Sequence, residues 1–288
     1  MWPIIKITYR EMISKRIFTI TVLMSLAFLL LFGVATWFAA REIRETMGAA
    51  SGDAMMMKGF FSTQLLGMGL YFGSIIAALL AILSSVGSIA SEIESHQIDT
   101  WLARAMPRRQ YMLGKFLGLA SMLILYTAML YLGLIAINQW VGGGEMAVQL
   151  RATQVMTGLG YFLLLPVILV CVSLLMSSMT TTVTGGIFLI ILYGISFIGG
   201  FVEQLGSLIH QESLVQIGIV SSLIFPTDSL FRLSMLSLFE AVDNPLSFAS
   251  QGIFGTSSPP SAAMLYYTLG YGLVALLIAI RIFQRRDV

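Results

Sequence analysis

Three stretches of this chain contain no charged side chain at all: residues 59–91, 116–144 and 152–202, of 33, 29 and 51 residues. A helix needs about 20 apolar residues to cross the hydrocarbon of a bilayer. The first two stretches therefore hold one span each. The third is too long for one and right for two. A soluble domain is excluded, because only 10% of the residues are charged against about 25% in soluble proteins. Mean hydropathy is +0.89. The sequence predicts an all-α polytopic membrane protein with six transmembrane helices. These fall at about 17–39, 61–90, 112–139, 153–176, 183–202 and 262–280. The first apolar run is too long for a signal peptide and reads as a retained anchor.

Residues 2–16 precede the first span. At 100° per residue, Trp2, Ile5, Tyr9, Met12 and Ile13 form one stripe, with Lys6, Arg10, Glu11, Ser14 and Lys15 opposite. This predicts an amphipathic helix in the headgroup layer, with Trp2 and Tyr9 at the membrane interface and Lys6 and Arg10 toward anionic lipid. Pro166 falls inside span four, where neighbouring helices must satisfy the carbonyl it frees. Gly185-Gly186 and Gly199-Gly200 invite close helix contact. The break between spans four and five is expected at Ser177 to Thr182.

Residues 203–262 form no clean span and read as a re-entrant or surface region. Within them Thr227 or Asp228 is expected as an N-cap. Ser229, Arg232, Ser237, Glu240 and Asp243 cluster on one side of the helix that follows, which predicts a surface helix. Six spans put both termini on one face, with 11 of the 16 cations: Lys6, Arg10, Lys15, Arg16, Arg104, Arg108, Arg109, Lys115, Arg281, Arg285 and Arg286. The positive-inside rule makes that face cytoplasmic and places 203–262 outside.

Several chemistries find no support. A net charge of +2 with scattered cations gives no basic stripe for nucleic acid. No Gly-x-x-x-x-Gly-Lys-Ser/Thr loop is present to cradle ATP. The Met55-Met56-Met57 triplet lacks a nearby His or Cys for Cu(I). Cys171, the sole cysteine, sits mid-span as a packing residue. His96 and His210 are predicted on opposite faces, so they share no metal. Glu92 and His96 stand four apart but have no third partner for a membrane-embedded hydrolase. Apart from Lys115, which anchors the start of span three, no ionisable residue is expected within the spans, so the energy source lies outside this chain.

Between spans two and three lies a polar island, residues 91–115. Ile98, Trp101, Leu102 and Ala105 recur at helical spacing. Glu92, Glu94 and Asp99 come first and Arg104, Arg108 and Arg109 last, in the order that suits a helix dipole, and Pro107 ends the helix. Such a lever, joined to two spans, is built to be pushed.

These residues resemble the loop between spans two and three of ABC-2-type permeases, the membrane subunits of ATP-binding-cassette transporters. The family pattern is close to Ser-Glu-x-Glu-x-Gly-Thr-x-x-x-Leu-Leu-x-x-Pro, then Ser-Arg, an aromatic and Gly-Lys. Ser91, Glu92, Glu94, Leu102, Arg108, Gly114 and Lys115 match; His96, Gln97 and Ala105 depart. Phe225-Pro-Thr-Asp-Ser-Leu-Phe-Arg232 is similar to a stretch in the branch that includes the permease of the nitrous-oxide-reductase maturation transporter. The resemblance covers the whole chain as one transmembrane domain, 1–288. It implies a dimer of permeases in the cell membrane, each docked on a cytoplasmic ABC ATPase that holds ATP and Mg, with no cofactor in this chain. Glu92, Glu94 and Asp99 would begin the coupling segment. Trp101 and Leu102 would seat in the ATPase, with Arg104, Arg108 and Arg109 at the rim. Export of a hydrophobic or amphipathic substrate is the expected activity. The alternative is force transmission to a partner outside without substrate passage.

Overall fold

A computed structural model describes residues 2–46, 52–95, 107–239 and 260–285. Among them the chain is entirely helical, without a strand. In order the helices are α1 (Trp2–Ser14), α2 (Arg16–Thr46), α3 (Gly52–Glu94), α4 (Arg108–Met146), α5 (Ala152–Met179), α6 (Thr182–Leu208), α7 (Glu212–Ile224), α8 (Thr227–Leu238) and α9 (Ala262–Arg285). Six of these, α2 to α6 and α9, are long and apolar enough to cross a membrane. They coincide with the six predicted spans, each extended by a few residues. Hydropathy marks only the apolar centre of a helix, while the backbone hydrogen bonds continue into polar flanks.

The packing is that of a lipid-soaked protein. Ile20, Leu23, Leu30 and Leu31 of α2 point outward, as do Ile187, Ile191 and Ile198 of α6. Ser84, Ser88, Thr127, Asn138, Ser173, Ser177 and Thr268 are buried between helices. Lipid tails are as apolar as leucine, so burying leucine gives helices little reason to associate. Close contact and hydrogen bonds hold them instead. The backbone N–H of Ala90 donates to Ser177 Oγ at 2.8 Å, joining α3 to α5. Thr180 and Thr181 break α5 from α6 within the expected segment, and the Thr181 hydroxyl caps α6 by accepting from the Thr184 N–H.

One end of the bundle carries both termini, with α1 lying across the start of α4. The other is the far end. There α4 runs through the glycine triplet to Met146, with Gly143 at φ 54°. The Asn138 side chain donates to the Met146 carbonyl at 3.2 Å and accepts from the Val148 N–H at 3.1 Å, which folds the exit of α4 back on itself.

Between α6 and α9 the chain makes a bent pair. α7 returns along α6 and α8 turns away from it by 109° at Phe225-Pro226. Pro226, rather than Thr227 or Asp228, holds the N-cap position of α8. The capping hydroxyl comes from α6: Ser196 donates to the Phe225 carbonyl at 2.5 Å and lies 3.4 Å from the Asp228 N–H. Gly199 and Gly200 make the close approach expected of them. A methyl at Gly199 would overlap Ser221, and one at Gly200 the Asp228 carboxylate. A methyl at Gly186 or Gly194 would meet nothing within 4 Å. Gly200→Ala is therefore expected to destabilise the solubilised protein by about 1–3 kcal/mol, the usual range for overpacking. Gly194→Ala should leave its melting temperature unchanged. Paired thermal melts in detergent check both.

Candidate functional site

The polar island is rooted differently from expectation. Nothing in residues 59–95 interrupts the helix, so Glu92 and Glu94 form the last turn of α3 rather than the start of a separate surface helix. Ser91 and Ser95 return their hydroxyls to the carbonyls of Gly87 and Ser91, satisfying the final turn. On the other side Pro107 is the N-cap of α4, and Arg108 and Arg109 are its first two residues. His96, Asp99, Trp101, Leu102 and Arg104 lie outside the described residues.

Four side chains from three helices meet between these roots. Lys115 of α4 is 1% exposed. Its Nζ lies 2.5 Å from Glu92 Oε1 of α3 and 2.6 Å from Glu11 Oε2 of α1. The Tyr111 hydroxyl donates to Glu92 Oε2. Lys15 adds a second cation 2.8 Å from Glu11 Oε1. Burial pushes the Glu11 carboxyl up, but the charges of Lys115 and Lys15 outweigh it and hold the group below its ordinary value of 4.5. A depressed carboxyl stabilises above its unfolded value and loses that contribution as pH falls through the folded one. Glu11 is therefore a carboxylate at neutral pH. Faster hydrogen exchange of α1 amides only below 4.5 is the expected signature.

Two further helices join at this end. Tyr111 stacks on Phe283 of α9, ring centroids 5.8 Å apart, and Arg108 donates to the Gln284 carbonyl at 3.2 Å. Glu94 accepts from the Thr182 N–H at 2.8 Å, at the start of α6. Of the residues expected to meet a partner, Glu92 is thus buried and paired within the chain, and Glu94 holds α6. Arg108 reaches α9, and Arg109 is exposed.

The interfacial helix is rotated from the predicted stripe. Ile4, Thr8 and Met12 face the bundle, while Trp2 and Ile13 are exposed, as are Lys6 and Arg10. Tyr9 donates to Ser121 Oγ at 2.7 Å. A helical wheel shows two apolar arcs and does not say which one protein covers.

A second ionic cluster lies toward the far end, in the bent pair, and sequence reasoning missed it. Arg232 of α8 makes paired contacts with Glu203 of α6 at 2.7 and 2.9 Å, and its Nε is 2.9 Å from Asp228 Oδ2. All three are buried. This overturns the expected surface helix, since Thr227 to Met235 of α8 are all buried. It also overturns the expectation that spans otherwise lack ionisable groups, because Glu203 and Glu92 lie in α6 and α3. Residues 240–259, with Glu240 and Asp243, lie outside the described residues. Beside Asp228, a cavity of about 10 Å³ is lined by Tyr71, Ser74, Tyr193 and Phe197, room for about one water.

Lys115→Met strips Glu92 of its cation, so it should cost about 3–5 kcal/mol. Adding Glu92→Gln removes the stranded charge and should recover at least half of the lost stability. Thermal melts of the wild type, both single variants and the double variant measure the coupling; additive losses would contradict it.

Among the described residues no group of His, Cys, Asp and Glu is arranged to hold a metal. No curated protein matches the chain. The family model described as ABC-2 family transporter protein matches residues 2–288, so this multi-pass membrane protein belongs to the ABC-2 transporter family, whose members are generally non-catalytic transmembrane subunits of ABC transporters.

Proposed function

We propose that the chain is the permease subunit of an ABC exporter in the cell membrane. A separate cytoplasmic ATPase would hold ATP and Mg and drive it, and two permease copies or homologues would form the pore. The observation that carries this reading is the ion-paired base beneath segment 96–106. A segment whose two roots are bound to α1, α6 and α9 passes a push to much of the bundle. The excess of cations on the terminal face supports a cytoplasmic position for that loop.

Asp99, Trp101, Leu102 and Arg104 are the contact residues in this reading, with Arg108 and Arg109 at the edge. Glu92 and Glu94 act from inside, fixing the angle at which the segment leaves α3. An apolar groove of about 410 Å³ at the far end supports an amphipathic substrate. It is lined by Ile43, Phe61, Leu65 and Met68 with Glu42 and Gln64, a size and lining usual for small-ligand sites.

Asp228 and Arg232, both from the Phe225–Arg232 stretch, enter the far-end cluster. That favours the branch of the nitrous-oxide-reductase maturation permease. It also favours a second reading, in which α6 to α8 move as one body and push a partner on the far face.

The test is reconstitution with the ABC ATPase that co-purifies from native membranes. Trp101→Ala should weaken ATPase capture about thirtyfold, the equivalent of a 2 kcal/mol interface anchor, with membrane insertion intact. Unchanged capture and unchanged stimulation of hydrolysis would refute the assignment.

A further inference from the structure

The Glu11–Lys115–Glu92 cluster has a mechanical consequence for α1. Glu92 stands in the last turn of α3, where the helix dipole disfavours a carboxylate. Its place is explained by Lys115. Lys115 in turn is almost completely buried, where an ammonium without partners is costly, and it takes one partner from α3 and one from α1. The ammonium is thus shared between a root of segment 96–106 and the N-terminal helix.

The contact surface around it is closely fitted. A methyl on Gly114 would lie 2.9 Å from Ile4 Cβ, and one on Gly118 2.8 Å from Thr8 Cβ. With Tyr9 on Ser121, α1 is held to α4 by four residues, Ile4, Thr8, Tyr9 and Glu11, spread over about two turns. Only Lys15 separates α1 from α2, and its N–H still bonds the Met12 carbonyl at 3.2 Å. Displacement of the α4 root therefore reaches α2 through α1.

We propose that Glu11 is a positioning residue for ATPase coupling: through Lys115 it makes α1 move with the root of the coupling segment and carry that motion to α2. The inference rests on the permease reading above and extends it from segment 96–106 to the N-terminal helix.

Glu11→Gln is the discriminating variant. Glu11 is partly exposed, and its loss leaves the Lys115–Glu92 pair intact, so no buried charge is stranded. The wild type, Glu11→Gln, Glu11→Asp and the exposed control Ser14→Ala are compared as complexes with the co-purifying ABC ATPase in nanodiscs. Expected for Glu11→Gln is about a tenfold loss of permease-stimulated ATP hydrolysis, at unchanged ATPase stoichiometry and with the melting temperature only slightly lowered, by the loss of the Glu11 ion pairs. Glu11→Asp should restore at least half, and Ser14→Ala should match the wild type. Nitroxides on Ile13→Cys and Gln110→Cys, both exposed positions, give a second readout, with the buried Cys171 unlabelled. Their separation should hold through ATP-vanadate trapping in the wild type and broaden in Glu11→Gln. Hydrolysis within twofold of wild type, or a fall only in proportion to lost stability or lost ATPase, would overturn the proposal and leave the cluster as scaffold. Failure of the wild-type chain to capture or stimulate any ABC ATPase would instead overturn the permease reading, and this inference with it.

Discussion

A buried ammonium dictates the arrangement of the terminal end. Lys115 lies two turns into α4 and is almost completely covered, so its charge must be met by the protein. Glu92 and Glu11 meet it from two directions, and that requirement fixes three helices at once. α3 must end beside α4, α1 must lie against α4, and Gly114 must be small enough to let it. The aromatic face of Tyr111 then receives Phe283, which brings in α9. Apolar contact alone would specify none of this, because every outer face of these helices is equally content in lipid.

The far end solves a similar problem with Arg232. Its planar guanidinium suits paired contacts with one carboxylate and leaves Nε for a second. Asp228 and Arg232 are one turn apart on α8, so their pairing is local. Glu203 is the long-range element and ties the bent pair to α6. Small residues make the geometry possible, since Gly199, Gly200 and Gly218 leave room for Ser221, Asp228 and Glu203 where the helices nearly touch.

The spans were readable because a bilayer imposes length and hydropathy on each helix separately. The break at Thr180-Thr181 and the close approach at Gly199-Gly200 were readable for the same local reason. Pairing was not. Glu203 and Arg232 stand 29 positions apart, and on a helical wheel Arg232 looks like part of a solvent face until its partner is known. Glu92 looked like a docking residue because its motif resembles the connection between spans two and three of a permease. Its nearest chemical neighbour, Lys115, belongs to the same motif, and only the fold shows that the Glu and the Lys face one another. The motif thus held the pair in plain view without its meaning. The orientation of α1 was ambiguous for a different reason: lipid and protein both accept an apolar stripe.

The two ionic clusters are joined by one helix. α6 begins at Thr182, whose N–H is held by Glu94 in the last turn of α3. It carries Glu203 near its other end, where Arg232 grips it. The 20 residues between these points make a rod of about 30 Å, close to the thickness of the hydrocarbon layer. A helix of that length resists bending unless it contains a proline or an inserted bond, and α6 contains no proline. Motion of the α3 terminus against Thr182 is therefore not dissipated within α6. It arrives at the bent pair, where Ser196 and Glu203 both hold α8. Polar anchors at each end of this uncharged rod make α6 a stiff connection between the two ends of the bundle.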